Sequence, residues 1–408
     1  MSTPPTLVAS YCFPPYIDTS AVVAAKRVRQ FGEKVDVICN AMDTIRRIDP
    51  SLTGIAGDLV NRFAALPTPS AFSSWQSITA YTAHGMRTAE RWQREQGEPY
   101  RKMYSRAQFI ASHFLAGRFK ALNPDVEWVA EFSDPLSHDV LGQERTAPMA
   151  NDGLARVLAA QVGRAGFTVP EVGNANEWAE VVALSLADRI IFTNELQRDF
   201  MLSQLHDQRL AERAAAHAEV SPHPTLPREF YSMVESDYRV EAGVVNIGYF
   251  GNFYANRGVG LLLDALELLA PDDRERLRLH VFTSATSGED LTAVVDDREL
   301  DKCVLVQPYA EFLEFLNLAD KMDLLLVNDA VTPPNGTVNP FLPSKWSDYK
   351  GSTTPVWAVI EEGSSLDAQP EGSIAVRTPV EHLTAYAQTL QRLARHGVPQ
   401  TAPKHFDA

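Results

Sequence analysis

Cysteine is nearly absent from this sequence, with Cys12, Cys39 and Cys303 the only three among 408 residues. They are far apart and odd in number, and no C-x-x-C spacing occurs. A disulfide framework and a cysteine zinc site are therefore excluded, and reduced, buried thiols of a cytosolic protein are expected. No apolar run approaches the roughly 18 residues of a membrane-spanning helix. The opening stretch, MSTPPTLVASYCF, lacks the basic start and apolar stretch of a signal peptide, so a cytoplasmic location is expected. Asp-x-Asp occurs nowhere, which removes the usual carboxylate pair for a metal on a nucleotide diphosphate. GxSxG and HExxH are also missing, which argues against a serine hydrolase or a zinc protease. Basic residues are outnumbered, 37 Lys and Arg against 52 Asp and Glu, for a net charge of −15. An acidic surface of that kind excludes general nucleic-acid binding.

What remains is a chain that is 45% hydrophobic and 22% charged, ordinary for a folded protein and long enough for two cores. Short apolar runs alternate with helical patterns. In the second half the runs are 244–250, 277–283, 303–307, 323–328, 354–360 and 373–377, each of a length and richness in Val, Ile and Leu that fit strands buried on both faces. Between them, 258–270 and 310–321 carry apolar residues at helical spacing. In the first half, 6–12, 35–39, 126–132 and 189–193 read as strands, and 18–31, 76–96 and 99–121 as helices. Such alternation implies α/β domains with parallel sheets. The three prolines of PHPTLP mark a boundary. The expectation is two doubly wound, Rossmann-like domains facing across a cleft: an N-terminal domain over 1–226 with a helical insertion, a C-terminal domain over 227–378, and a closing segment over 379–408. Ligands of open α/β sheets bind outside the carboxyl ends of the strands, so the loops there are the candidate sites.

Two such loops lie in the second half. In IGYFGNFYANRG (247–258) a strand ends at Gly251 and a helix begins near Gly258, with Arg257 beside that helix start. Glycine lets backbone N–H groups approach an anion, and an arginine there suits a diphosphate. An ordinary strand–helix turn with a surface arginine explains the same residues. In PFLPSKWSDYKGSTTPVWA (340–358), Ser344 is a candidate helix cap, Lys345 a candidate phosphate ligand and Asp348 a candidate acceptor for ribose hydroxyls. A capped short helix with a solvated lysine and aspartate is the plain alternative.

The first half offers less. FSDPLSHD (132–139) places Asp134 and His138 after a strand, where a histidine can bind a substrate hydroxyl or exchange a proton. Read plainly, this is a turn with a capping aspartate. In YCFPPYIDTS (11–20) Asp18 reads as a helix cap. Residues 86–120 carry five net positive charges interleaved with Trp92, Tyr100, Tyr104, Phe109, Phe114 and Phe119. That mixture suits peripheral contact with an anionic membrane surface, or else a solvated helix face with i,i+4 pairs such as Glu90–Arg94.

GYFGNFYANRG and FLPSKWSDYKGSTTPVWA together resemble the donor segments of GT-B glycosyltransferases, most similar to glycosyltransferase family 4. ADRIIFTNELQRDFM (187–201) and SPHPTLP (221–227) resemble the segments leading into the second domain. The resemblance implies that Gly251, Asn252, Arg257, Ser344, Lys345 and Asp348 hold a nucleotide-diphosphate sugar, with Asp348 on the ribose. It implies that His138, Arg257 and Lys345 act in catalysis and that Asp134 and His138 lie on the acceptor or sugar side. It also implies a last helix that crosses back to the first domain. Two departures stand out: Pro340 replaces the first of the family's paired glutamates, and Asn252 follows the turn glycine. The loop FPPYIDTS lacks the family's usual glycines. The expected activity is retaining transfer of a hexose-like sugar to a hydroxyl of a glycan or glycolipid, with no cofactor or metal. The leaving phosphate itself can take the acceptor proton. A nucleotide-sugar epimerase of the same architecture and a non-catalytic partner protein are the alternatives.

Overall fold

A computed structural model of the chain describes residues 5–252, 258–333, 338–370 and 372–399. The chain divides into two compact units between Pro224 and Thr225.

In the first unit, seven parallel strands form one sheet in the order β3-β2-β1-β4-β5-β6-β7. They are β1 (Thr6–Ala9), β2 (Val35–Asn40), β3 (Val60–Leu66), β4 (Lys102–Ala107), β5 (Glu127–Phe132), β6 (Arg189–Phe192) and β7 (Ala218–Val220). The helices are α1 (Thr19–Phe31), α2 (Trp75–Gln96), α3 (Ala111–Leu122), α4 (Gly153–Arg164), α5 (Ala175–Leu186), α6 (Glu195–Ser203) and α7 (Gln208–Ala216). Asp18 does cap α1: its carboxylate accepts from the Ser20 N–H at 2.7 Å and also pairs with Arg46.

Two expectations for this unit need correction. The helix expected over 99–121 is a strand and a helix: Lys102–Ala107 pairs in parallel with β5, and Met103, Tyr104, Ser105 and Arg106 are buried on its two faces. Tyr104 and Arg106 tolerate burial there because Glu131 of β5 accepts from the Tyr104 hydroxyl at 2.9 Å and lies 3.6 Å from the Arg106 guanidinium. The same carboxylate accepts from Arg27 of α1 at 2.8 Å, and Arg27 in turn holds the Ser221 and Pro222 carbonyls. Burial, with Arg106, Arg27 and Lys26 nearby, pushes the pKa of His223 well below its ordinary value. The second correction concerns the membrane-facing reading of 86–120. Trp92, Tyr100, Tyr104, Phe109, Phe114 and Phe119 are all buried in the unit's core, and Arg106 is buried with them. Lys120 is tied to Asp188, and an i,i+4 pair on α2 is Arg91–Glu95. No helix among the described residues is long and apolar enough to cross a membrane.

In the second unit, six parallel strands take the order β10-β9-β8-β11-β12-β13. They are β8 (Val245–Phe250), β9 (Leu277–Thr283), β10 (Val304–Pro308), β11 (Leu324–Asn328), β12 (Val356–Ile360) and β13 (Val376–Pro379). The helices are α8 (Gly260–Glu267), α9 (Pro271–Arg274), α10 (Ala285–Asp297), α11 (Phe312–Lys321), α12 (Lys345–Gly351) and α13 (Leu383–His396). This is the doubly wound order, with the switch point beside β8. The buried stripe of α13, Tyr386, Leu390, Leu393 and Ala394, belongs to the second unit's core with α8 and β13. An Arg395–Asp273 ion pair ties its end to α9.

Two stability measurements check these assignments. Glu131→Ala leaves buried Arg27 and Arg106 without their shared carboxylate and should destabilise the chain by about 3–5 kcal/mol in urea unfolding. Leu393→Ala should cost about 2–5 kcal/mol by opening a cavity under α13. An unchanged urea midpoint in either variant contradicts the packing that motivates it.

Candidate functional site

The carboxyl end of β8 is built around a missing side chain. Gly251 has φ of +133°, a conformation that residues with a Cβ rarely adopt. A Cβ at this position would overlap the Nζ and Cε of Lys345. The lysine at the start of α12 therefore lies directly against the backbone at the tip of β8. Its ammonium also sits 5.0 Å from the centre of the Tyr249 ring, a cation–π arrangement.

The neighbouring groups hold this contact in place. The Tyr349 hydroxyl of α12 accepts from the Phe250 N–H at 3.3 Å, so the helix is tied to the strand one turn beyond the lysine. The buried Tyr231 hydroxyl donates to the Asp348 carbonyl at 2.5 Å, and Gly351 leaves room for that tyrosine. Asp320 accepts from Ser352 and Thr353 and pairs with Arg228, which fixes the turn after α12.

The other residues named from sequence fall into place unevenly. The Asn252 side-chain oxygen accepts from the Thr283 hydroxyl at 3.3 Å and the Ser284 N–H at 3.2 Å, which braces the end of β9 against the end of β8. The Gly251 N–H donates to the Phe282 carbonyl at 2.8 Å. That N–H is therefore engaged in the sheet rather than aimed at an anion, and the glycine's contribution is space for Lys345. Ser344 has helical backbone angles and makes no side-chain cap bond, contrary to its reading as a cap. The chain is already turning there, since the Trp346 N–H donates to the Pro343 carbonyl at 2.9 Å. Asp348 is buried in the first turn of α12. Arg257 lies outside the described residues. Beside the Asn252 brace, at the ends of β9 and β10, an open pocket of about 550 Å³ is lined by Thr283, Ser284, Gly288, Gln307 and Pro308 among others.

In the first unit, Asp134 and His138 share the loop after β5, both half-buried. His138 Nδ1 lies 3.0 Å from the Ser137 hydroxyl, which donates to the buried Glu180 carboxylate of α5 at 2.7 Å. Glu180 also accepts from the Leu136 and Ser137 N–H groups at 2.7 and 3.0 Å. Burial raises the Glu180 pKa, and these three hydrogen bonds oppose the rise. Sequence reading missed both Ser137 and Glu180. The available signal was a glutamate set in the apolar stretch ANEWAEVVALSL.

No protein-family model matches the chain. No curated protein matches it either. Solved structures do. HepE of Anabaena, solved with UDP, is 12% identical, with 96% of this chain and 90% of that one covered at a TM-score of 0.60. The fold is GT-B. Sucrose-phosphate synthase from Thermosynechococcus elongatus is 13% identical over 97% of this chain and 90% of its own, with a TM-score of 0.60. A UDP-N-acetylglucosamine 2-epimerase is 10% identical over 97% and 88%, at 0.54. At these identities the likeness is one of fold, two Rossmann-like units in one chain, and it includes both a synthase and an epimerase.

Gly251→Ala tests the site's construction. The substitution forces a strained backbone and displaces Lys345. It should cost about 1–3 kcal/mol in thermal unfolding. Full stability in this variant contradicts the role given to this glycine.

Proposed function

We propose that this protein is a glycosyltransferase, moving a sugar from a nucleotide-diphosphate donor to a hydroxyl of a glycan or glycolipid, with retention and without a metal. The observation that carries the reading is Lys345, a cation seated against the side-chain-free tip of β8 at the switch point of a doubly wound sheet. As the glycosidic C–O bond breaks, negative charge grows on the leaving diphosphate. A fixed ammonium at that place stabilises this charge more in the transition state than in the ground state. In this reading Arg257 and Ser344 join Lys345 on the diphosphate, Asp348 takes the ribose, and Asn252 holds the adjoining turn. The nucleoside occupies the pocket at the ends of β9 and β10. His138 and Asp134 serve the sugar and acceptor side. The resemblance to glycosyltransferase family 4 supports retention, and the ligands named for HepE, UDP and UDP-glucose, make UDP-sugars the first donors to test.

An epimerase is the second reading, favoured by the likeness to UDP-N-acetylglucosamine 2-epimerase. It predicts an epimerised nucleotide sugar without any acceptor.

Donor screening by thermal shift, followed by kinetics with EDTA present, tests the proposal. One class of nucleotide sugar should raise the melting temperature, because a ligand that binds the native state stabilises it by mass action. Lys345→Ala should then lower kcat by about 10²–10³, the usual effect of removing one charge-stabilising group, while the fold persists. Wild-type turnover in this variant, or activity abolished by EDTA and restored by a divalent cation, contradicts the assignment. Absence of binding by every nucleotide sugar leaves the non-catalytic reading in its place.

A further inference from the structure

The hydrogen-bond chain behind His138 fixes more than its position. A serine hydroxyl has one proton to give. At Ser137 that proton goes to Glu180, 2.7 Å away. Toward His138 the same oxygen has only lone pairs, so at 3.0 Å it must accept from Nδ1. We propose that Glu180, acting through Ser137, is a positioning residue that holds neutral His138 as the Nδ1–H tautomer and presents Nε2 as a hydrogen-bond acceptor to a substrate hydroxyl.

The surroundings make this a rigid arrangement. The Ser137 carbonyl accepts from the Arg145 N–H at 2.7 Å, and the Arg145 side chain holds the Pro135 carbonyl at 3.0 Å. His138 forms an isolated antiparallel bridge with Glu144. Its ring stands edge-on to Phe200, with centroids 5.9 Å apart and an interplanar angle of 88°. Glu180 is locked in turn by two backbone N–H groups on Oε1, which leaves Oε2 for the serine. A histidine oriented by a hydroxyl and a buried carboxylate is prepared for one hydrogen-bonding role. That role in sugar transfer rests on the function proposed above, whereas the tautomer does not.

Glu180→Gln makes the test sharp. The two backbone donors keep the amide oxygen at the Oε1 position, so the amide NH₂ faces Ser137. The serine then accepts from Gln and turns its proton toward Nδ1, and the histidine switches to the Nε2–H form. Nitrogen NMR of His138 in the full chain at about pH 8.5, roughly two units above the ordinary imidazole pKa, reads this directly. The wild type should show a pyrrole-like Nδ1 and a pyridine-like Nε2, Glu180→Gln the reverse, and Ser137→Ala a mixture. An Nε2–H wild type, or an unchanged pattern in both folded variants, overturns the proposal. If Glu180→Gln fails to fold, Ser137→Ala decides alone, and an unchanged Nδ1–H signal there overturns it. Once a donor and acceptor are known, Glu180→Gln should lower kcat about tenfold, one hydrogen bond's worth. The expected tautomers with no transfer to any acceptor count against the glycosyltransferase reading alone. The wrong tautomer with active transfer counts against the relay alone.

Discussion

In the proposed function, the contact between Lys345 and Gly251 is the constraint on which the second unit's part depends. A flexible lysine becomes a fixed charge only when its surroundings leave it one place to go. Here that place is made by a glycine with no Cβ, by the face of Tyr249, and by a short helix whose Tyr349 is bonded to β8. Tyr231, Arg228 and Asp320 then set where the helix stops. Each of these groups holds α12 against the strand ends. Preorganisation of this kind matters because a charge that need not move at the moment of reaction stabilises a transition state without reorganisation.

The first unit uses buried carboxylates for the same purpose. Glu131 lies on β5, beside the central strand β4, and gathers Arg27, Tyr104 and Arg106, so that one anion fixes α1 to β4 and β5. Through Arg27 it also reaches the Ser221 and Pro222 carbonyls at the end of the unit. Glu180 does on a smaller scale for the His138 loop what Glu131 does for the sheet. In both places a buried charge is tolerable because several donors converge on it.

Strands β8, β11 and β12 were legible because each is a short, mostly apolar run, the pattern of a parallel strand covered on both faces; β13, Val376–Pro379, overlaps only the end of the run expected over 373–377 and leaves Arg377 exposed. Strand β4 was not legible, because Tyr104 and Arg106 look like surface residues until Glu131, 25 or more positions later, is known to lie beside them. Basic residues and aromatics in 86–120 suggested a surface for the same reason: the charges are visible in a sequence, whereas the direction of the rings is a tertiary fact. The turn at Gly251 and the Lys345 segment could be read as separate candidates, but their contact depends on a backbone angle and on where α12 lands. His138 was legible as a histidine after a strand. Its supports, Ser137 and Glu180, were not, since 43 residues separate the hydroxyl from the carboxylate. A cap could be named at Asp18 but was misassigned at Ser344, where the turn begins one residue earlier, at Pro343.

The most direct test of this account is a crystal structure of the chain with a nucleoside diphosphate bound. The account predicts diphosphate oxygens within hydrogen-bonding distance of Lys345 Nζ, at the tip of β8, with the nucleoside in the pocket at the ends of β9 and β10. A diphosphate bound away from β8, or bound there with Lys345 turned aside, contradicts it.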